Sequence, residues 1–220
     1  IFNKSVAAER IKTGKLLANQ IKEKNLKIDV IVDVPKSGYF AAVGLSEELN
    51  IPHKRALIPN DYIGRSFILP KQSQRENVIK QKFSIIKDVI ENKNVALVDD
   101  SIVRGTTAKY IVKQLKNYGA KNVYLISAAP PLRFPCFYGI NISTKEELIA
   151  NKFNIEELKN YFGADDVIYQ DLKSIKSLLG ENFCEACFTG KYQENWYNWP
   201  YAKHLFYPSS SWCIDVKVIF

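Results

Sequence analysis

Val95-Ala-Leu-Val-Asp-Asp-Ser-Ile-Val-Arg-Gly-Thr-Thr107 decides the architecture: four apolar residues run into two adjacent acids, and a turn through Gly105 leads into paired threonines. A short apolar run without alternation suits a strand buried on both faces, as in a parallel sheet. Residues 106–118 then read as a helix stopped by Gly119, so the unit is strand, turn, helix. Ligands of parallel sheets bind beyond the carboxyl ends of the strands. At that place the first N–H groups of the helix, joined by the hydroxyls of Ser101, Thr106 and Thr107, form a concavity suited to a phosphate. Asp99 and Asp100 cannot help to hold an anion. They are placed to accept hydrogen bonds from a sugar diol or to hold magnesium. Phosphate at one end and diol at the other describe a ribose 5-phosphate. The plainer reading, a strand end followed by a helix cap, leaves the conjunction of two acids, a glycine and three hydroxyls unexplained. No P-loop competes, because Gly190-Lys191 is followed by Tyr192, which lacks the required aliphatic hydroxyl.

Outward from this stretch the same alternation recurs. Val6, Ile11, Leu16, Leu17 and Ile21 stand at roughly helical spacing among lysines and glutamates, which predicts an amphipathic helix over residues 5–24. Ile28-Asp-Val-Ile-Val-Asp-Val34 is a β-branched run closed by Pro35, and helical periodicity follows over residues 40–49. A further strand is expected over residues 55–58, a long mobile loop over 59–75, a helix over 77–91 and a strand over 123–129. Ser143-Thr-Lys-Glu146 has the form of a capping box, and Asn154 and Gly163 bracket another helix. Both are expected as peripheral helices on an α/β core with a mostly parallel sheet flanked by helices.

Composition narrows the function. The chain has 220 residues, 46% of them hydrophobic, enough for one full core. The net charge of +8 is scattered, not gathered into blocks, and reads as a solvated surface without a nucleic-acid face. No apolar run reaches the roughly 20 residues of a membrane span, and no secretion signal opens the chain, so an intracellular setting, cytosol or plastid, is expected. With no methionine and an Ile-Phe-Asn-Lys start, further sequence is expected upstream. His53 and His204 are the only histidines, and neither stands in a catalytic-looking context. Cys136, Cys184, Cys187 and Cys213 are too few and too unevenly placed for a disulfide framework. The pair in Cys184-Glu-Ala-Cys187 supports zinc, iron–sulfur or redox chemistry about equally.

Val98-Asp-Asp-Ser-Ile-Val-Arg-Gly-Thr-Thr107 resembles the phosphoribosyl pyrophosphate signature of type I phosphoribosyltransferases, in the form found in the amidophosphoribosyltransferase family. The likeness runs from Ser5 to Tyr192. It includes Asn60-Asp-Tyr-Ile-Gly-Arg-Ser-Phe-Ile68 with Gln72 and Arg75, Ser127-Ala-Ala-Pro130, Cys136-Phe-Tyr-Gly139, Glu147-Leu-Ile-Ala150, Gly163-Ala-Asp165 and Cys187-Phe-Thr-Gly-Lys-Tyr192. The resemblance implies a type I phosphoribosyltransferase fold over residues 1–192, leaving residues 193–220 as an unassigned aromatic tail. It implies that Asp99, Asp100, Ser101, Ile102, Val103, Arg104, Gly105, Thr106 and Thr107 bind the substrate. Ser37, Asp99 and Asp100 would sit at the magnesium, and Tyr62, Arg65 and Lys82 on a loop that folds over the pyrophosphate. It further implies a four-iron, four-sulfur cluster on Cys136, Cys184 and Cys187, with a fourth ligand upstream. The reaction it implies is the first step of purine biosynthesis, in which ammonia from an N-terminal glutaminase domain displaces pyrophosphate. Purine nucleotides as feedback ligands and a homo-oligomer belong to the same expectation.

Lys36, Pro59 and Asp61 depart from the family pattern of an acid at the first position and basic residues near the other two. All three fall near the pyrophosphate, so they bear on turnover and not on the fold. Two other readings use the same signature. A salvage enzyme would transfer the phosphoribosyl group to a nucleobase, but the match over residues 60–75 speaks against it. A non-enzymatic sensor that binds DNA would carry a helix-turn-helix or a clustered basic face, and neither is found.

Overall fold

The computed structural model describes residues 5–60, 83–137, 142, 144–180 and 183–192. Its centre is a four-stranded parallel sheet in the order β1-β4-β5-β6, made of Val30–Asp33, Asn94–Asp99, Asn122–Ser127 and Asp166–Tyr169. Parallel pairing sets Asp33 opposite Val98, Asp99 opposite Ser127, and Ser127 opposite Tyr169. All the carboxyl ends therefore emerge along one edge. The unalternating Val95-Ala-Leu-Val98 run has the burial expected of it: every residue of β4 is buried.

Helices cover both faces. On one, α1 (Val6–Glu23) and α2 (Tyr39–Leu49) bury Leu17, Ala18, Ile21, Ala41 and Leu45 against Ile31, Ala96, Val98 and Ile126. On the other, α4 (Thr106–Asn117) and α5 (Ile155–Phe162) bury Ile111, Leu115, Leu158 and Phe162 against Val30, Val95, Leu97 and Val123. The termini are those the sequence marks. Ser5 caps α1, Asn154 and Glu157 form a capping box on α5, and Gly163 closes it at φ 68°.

Four expectations are corrected. The strand near residues 55–58 is Leu57–Pro59 (β2), which lies outside the parallel sheet and pairs antiparallel with Phe83–Ile85 (β3). The helix expected over 77–91 is absent from the described part of that range, which holds β3 and the one-turn α3 (Lys87–Ile90). Phe83-Ser-Ile85 alternates with the period of a strand, and two consecutive isoleucines disfavour a longer helix. The capping box at residues 143–146 opens no α-helix. Two 3-10 turns, Lys145–Glu147 and Ile149–Asn151, stand there, broken where Leu148 is extended. The N–H of Ile149 is drawn 2.9 Å to the carbonyl of Val103, so a tertiary bond replaces a helical one. Finally, the region after residue 143 is not only peripheral: β6 completes the sheet, and α6 (Leu172–Leu179) and α7 (Ala186–Thr189) follow it. The loop expected over 59–75 falls mostly, and the aromatic tail over 193–220 wholly, outside the described residues.

α1 and α2 meet backbone to backbone. A Cβ added at Gly14 would lie 2.0 Å from the carbonyl oxygen of Ala41, and one at Gly44 would lie 1.9 Å from that of Ile11. Alanine in a helix is favoured over glycine by about 0.8–1.0 kcal/mol, but forcing close-packed elements apart costs about 1–3 kcal/mol. Gly44→Ala should therefore lower the melting temperature in spite of its better propensity, and a melt showing a rise would mean that the two helices can separate freely.

Candidate functional site

The edge formed by the strand carboxyl ends brings together Ser37, Asp99, Asp100 and the turn of residues 101–107. Asp99 ends β4 and is only 8% exposed. The Ser37 hydroxyl donates to Asp99 Oδ1 at 3.0 Å, and the backbone N–H of Asp100 donates to the same oxygen at 2.9 Å. Asp100 Oδ1 accepts from the Ser101 N–H at 2.7 Å. Burial pushes the Asp99 carboxyl well above the usual aspartate range, and the neighbouring Asp100 pushes it further in the same direction. Hydrogen bonds from Ser37 and the Asp100 backbone oppose the shift without cancelling it.

Ser37 reaches Asp99 because residues 34–38 fold back on β4. The Val34 N–H donates to the Val98 carbonyl at 2.8 Å, and the Gly38 N–H donates to that of Val34 at 2.9 Å. The Pro35–Lys36 peptide is cis. A Cβ at Gly38 would lie 2.1 Å from the Val98 carbonyl oxygen, so only glycine fits this approach.

Across the turn from the acids, α4 begins at Thr106 with Gly105 as its N-cap at φ 74° and no side-chain cap. The N-cap glycine offers no side chain to the first N–H groups, which present the positive end of the helix dipole. Gly105 is required twice over: its φ is left-handed, and a Cβ would lie 2.7 Å from the Phe162 ring. Ser101, Thr106 and Thr107 are half-buried around this start. Ile102 packs into the core beneath α4, and Val103 against a third apolar cluster containing Leu132, Leu148 and Phe188. Both can therefore offer a ligand little beyond backbone. The Arg104 guanidinium donates to Glu147, which ties the turn to the first 3-10 segment.

The three cysteines converge. Cys187 is buried in the third cluster, and Cys136 and Cys184 pack against it. The N–H groups of Arg133 and Phe134 both donate to the Cys187 carbonyl at 3.0 Å. Burial, then the nearness of Cys136 and Cys184, pushes the Cys187 thiol up to about 12. Tyr62, Arg65 and Lys82 lie outside the described residues, as does Cys213.

Sequence reasoning missed one pair. His53 Nε2 lies 2.8 Å from Asp33 Oδ1, immediately before the loop that carries Ser37. The signal was Asp33 itself, an acid in an otherwise apolar Val-Ile-Val run. Its histidine partner is 20 positions away and could not be found by spacing.

A family model described as a phosphoribosyl transferase domain matches residues 5–133. An amidophosphoribosyltransferase of Methanocaldococcus jannaschii is 45% identical over 189 residues, 86% of this chain and 40% of that protein. The Bacillus subtilis enzyme of the same name is 40% identical over 208 residues, 91% and 43% of the two chains. A chloroplastic one of Glycine max is 42% identical over 195 residues, 87% and 34%. Among solved structures, the glutamine phosphoribosylpyrophosphate amidotransferase of Bacillus subtilis complexed with ADP and GMP aligns with a TM-score of 0.72 at 41% identity, over 84% of this chain and 42% of that one. The chain thus spans less than half the length of these relatives. With its parallel sheet, its acids at the end of β4 and its glycine-started α4 all inside or beside the matched region, the chain belongs to the phosphoribosyl transferase domain family and has the type I fold.

Proposed function

We propose that this chain carries the phosphoribosyl-transferring site of an amidophosphoribosyltransferase, where ammonia displaces the pyrophosphate of phosphoribosyl pyrophosphate to yield 5-phosphoribosylamine. One observation carries the reading: two adjacent hydrogen-bonded carboxyls, Asp99 buried and Asp100 half-buried, stand at the end of β4, one turn before a helix that starts with no side-chain cap. Two acids followed by a turn and a helix start suit a ribose held at its hydroxyls by Asp99 and Asp100 and at its 5-phosphate by the start of α4. Similarity to named amidophosphoribosyltransferases supports ammonia, rather than a nucleobase, as the acceptor.

Among the described residues no three His, Cys, Asp or Glu side chains form a group that could hold a metal ion. Magnesium dehydrates reluctantly and is held by one or two carboxylates together with substrate oxygens and water. Asp99 and Asp100, with Ser37 beside them, would hold it, and when bound it neutralises charge on the departing pyrophosphate. The chain's own residues do the rest. The start of α4 fixes the 5-phosphate, Asp99 and Asp100 orient the ribose, and residues 34–38 line the pyrophosphate side. As the C1–O bond breaks, its electron pair leaves with pyrophosphate, and the sugar becomes oxocarbenium-like. The ammonia nitrogen then bonds to C1 and sheds a proton. Glutamine hydrolysis as the ammonia source, purine nucleotides as feedback ligands, a homo-oligomeric state and a cytosolic or plastid location complete the proposal. The relative solved with ADP and GMP and the chloroplastic soybean relative are consistent with it.

The cysteine cluster is proposed to hold four irons and four sulfides. Its donors suit the group in kind: Cys187 lies in an apolar cluster with Cys136 and Cys184 packed against that cluster, and thiolates are what such clusters take. A thiol pushed up to about 12 stays protonated without a metal, so assembly would release protons. A cluster spreads its ligands over separate irons, so the sulfurs need not surround a single point. When bound, it would cross-link the segment after β5 to α7.

Three measurements test these assignments. First, Asp99→Asn with Asp100→Asn should weaken magnesium-dependent phosphoribosyl pyrophosphate binding at least tenfold, about 1.4 kcal/mol; unchanged affinity by calorimetry sinks the site. Second, a carboxyl raised on folding costs stability as pH climbs from the unfolded value of about 3.9 through its folded pKa. Asp99→Asn alone, in metal-free buffer, should thus raise the melting temperature at neutral pH, and the gain should vanish below about pH 4. A gain that persists in acid would assign the effect to something other than charge. Third, anaerobically purified protein should contain iron and sulfide that are lost in Cys136→Ser as fully as in Cys187→Ser. Iron retained in the Cys136 variant would leave Cys136 outside the cluster.

A further inference from the structure

Residues 34–38 leave β1 at Asp33 and enter α2 at Tyr39, and one side chain meets both ends of that loop. His53 Nε2 is 2.8 Å from Asp33 Oδ1, and its ring lies 5.5 Å, centroid to centroid, from that of Tyr39. An ionised carboxylate can only accept, so the imidazole N–H donates. Backbone holds His53 in place. It bridges Ile31 in parallel fashion, with the Ile31 N–H donating to the Pro52 carbonyl at 3.0 Å and the Lys54 N–H to the Ile31 carbonyl at 2.9 Å. The pair is shielded from solvent, its side chains 15% and 9% exposed, so the bond is not a loose surface contact. The reading of the donor site above leaves both residues without a role.

We propose that His53 is a positioning residue for the pyrophosphate side of the site, clipping together the entry and exit of the loop that presents Ser37. The inference rests on the donor-site reading. The inner limb of the loop is held by the Val34 and Gly38 backbone bonds and by the contact of Gly38 with Val98. These fix where the loop touches β4 and where α2 starts, but they do not hold the Asp33 carboxylate or the exposed Tyr39 ring at the two ends of the loop. His53 ties those two side chains together across the loop. A loop ordered beforehand costs less to order on binding, so the benefit appears as affinity for the group that the loop contacts. The 5-phosphate end is held by α4 through Gly105, whose supports are Phe162 and Ile149. Among the described residues the side chain of His53 bonds Asp33 and meets Tyr39, both away from α4 in the chain, so a loss at the clip should be confined to one end of the substrate.

Calorimetry on the full chain in magnesium tests this with three probes: phosphoribosyl pyrophosphate, inorganic pyrophosphate and ribose 5-phosphate. His53→Ala should weaken the first two by about tenfold while leaving ribose 5-phosphate within about twofold. His53→Gln keeps a donor for Asp33 and should recover most of the loss. His53→Phe keeps the ring against Tyr39 without a donor and should recover little. Equal losses for all three probes would reduce His53 to a structural residue, and wild-type affinity in His53→Ala would overturn the clip outright. Should His53→Ala fail to fold, the Gln and Phe variants carry the comparison, and equal pyrophosphate affinity in those two overturns the proposal. A wild-type chain that takes up ribose 5-phosphate but neither pyrophosphate compound removes the donor-site reading first, and the clip with it.

Discussion

The whole carboxyl edge of the sheet depends on one steric contact, the approach of Gly38 to the Val98 carbonyl. A side chain at that position would put its first carbon 2.1 Å from an oxygen that already accepts the Val34 N–H at 2.8 Å. Because nothing larger fits, the turn after β1 lies flat on the end of β4 and brings Ser37 to Asp99. Because β1 and β4 are parallel neighbours, the same contact fixes where α2 starts, and α2 then packs on α1 through Gly14 and Gly44. Sheet, helix layer and site are thereby placed by a few positions at which a Cβ has no room.

The acids at that edge illustrate a familiar conflict between stability and function. A carboxyl buried beside another carboxyl is held away from its preferred charge state, and the apo fold carries that cost. Two donors on Asp99 Oδ1 reduce it without removing it. A magnesium ion or a ribose diol would turn the same arrangement from a liability into a binding surface. The thiol of Cys187 stands in a comparable position, with burial opposing the charged form that metal ligation needs. In both places what is unfavourable in the empty fold is what a ligand would relieve.

Much of this was legible along the chain. The unalternating run ending in Asp99 and Asp100 announced a buried parallel strand and a ligand edge, since strand, turn and helix start are contiguous and their roles follow from local chemistry. Asn154 and Gly163 marked α5 for the same reason. The failures share a different cause. Phe83–Ile85 is a strand because Leu57–Pro59 lies across from it. The box at residues 143–146 does not start an α-helix because Val103 captures the Ile149 N–H. Asp166–Tyr169 joins the sheet because β5 offers it an edge. Each outcome is decided by a partner far away in sequence, and local propensity is weak enough to be overridden.

The sequence by itself determined the fold class, the edge on which the site lies and the kinds of group gathered there, because those follow from residue type and near spacing. Only the tertiary structure decided which groups touch. Ser37 meets Asp99 across 62 positions and His53 meets Asp33 across 20. Cys136 joins Cys184 and Cys187 in one apolar cluster. A hydrogen bond or a shared pocket requires its partners to be in contact, and separation along the chain says nothing about contact until the strands have paired and the helices have closed over them.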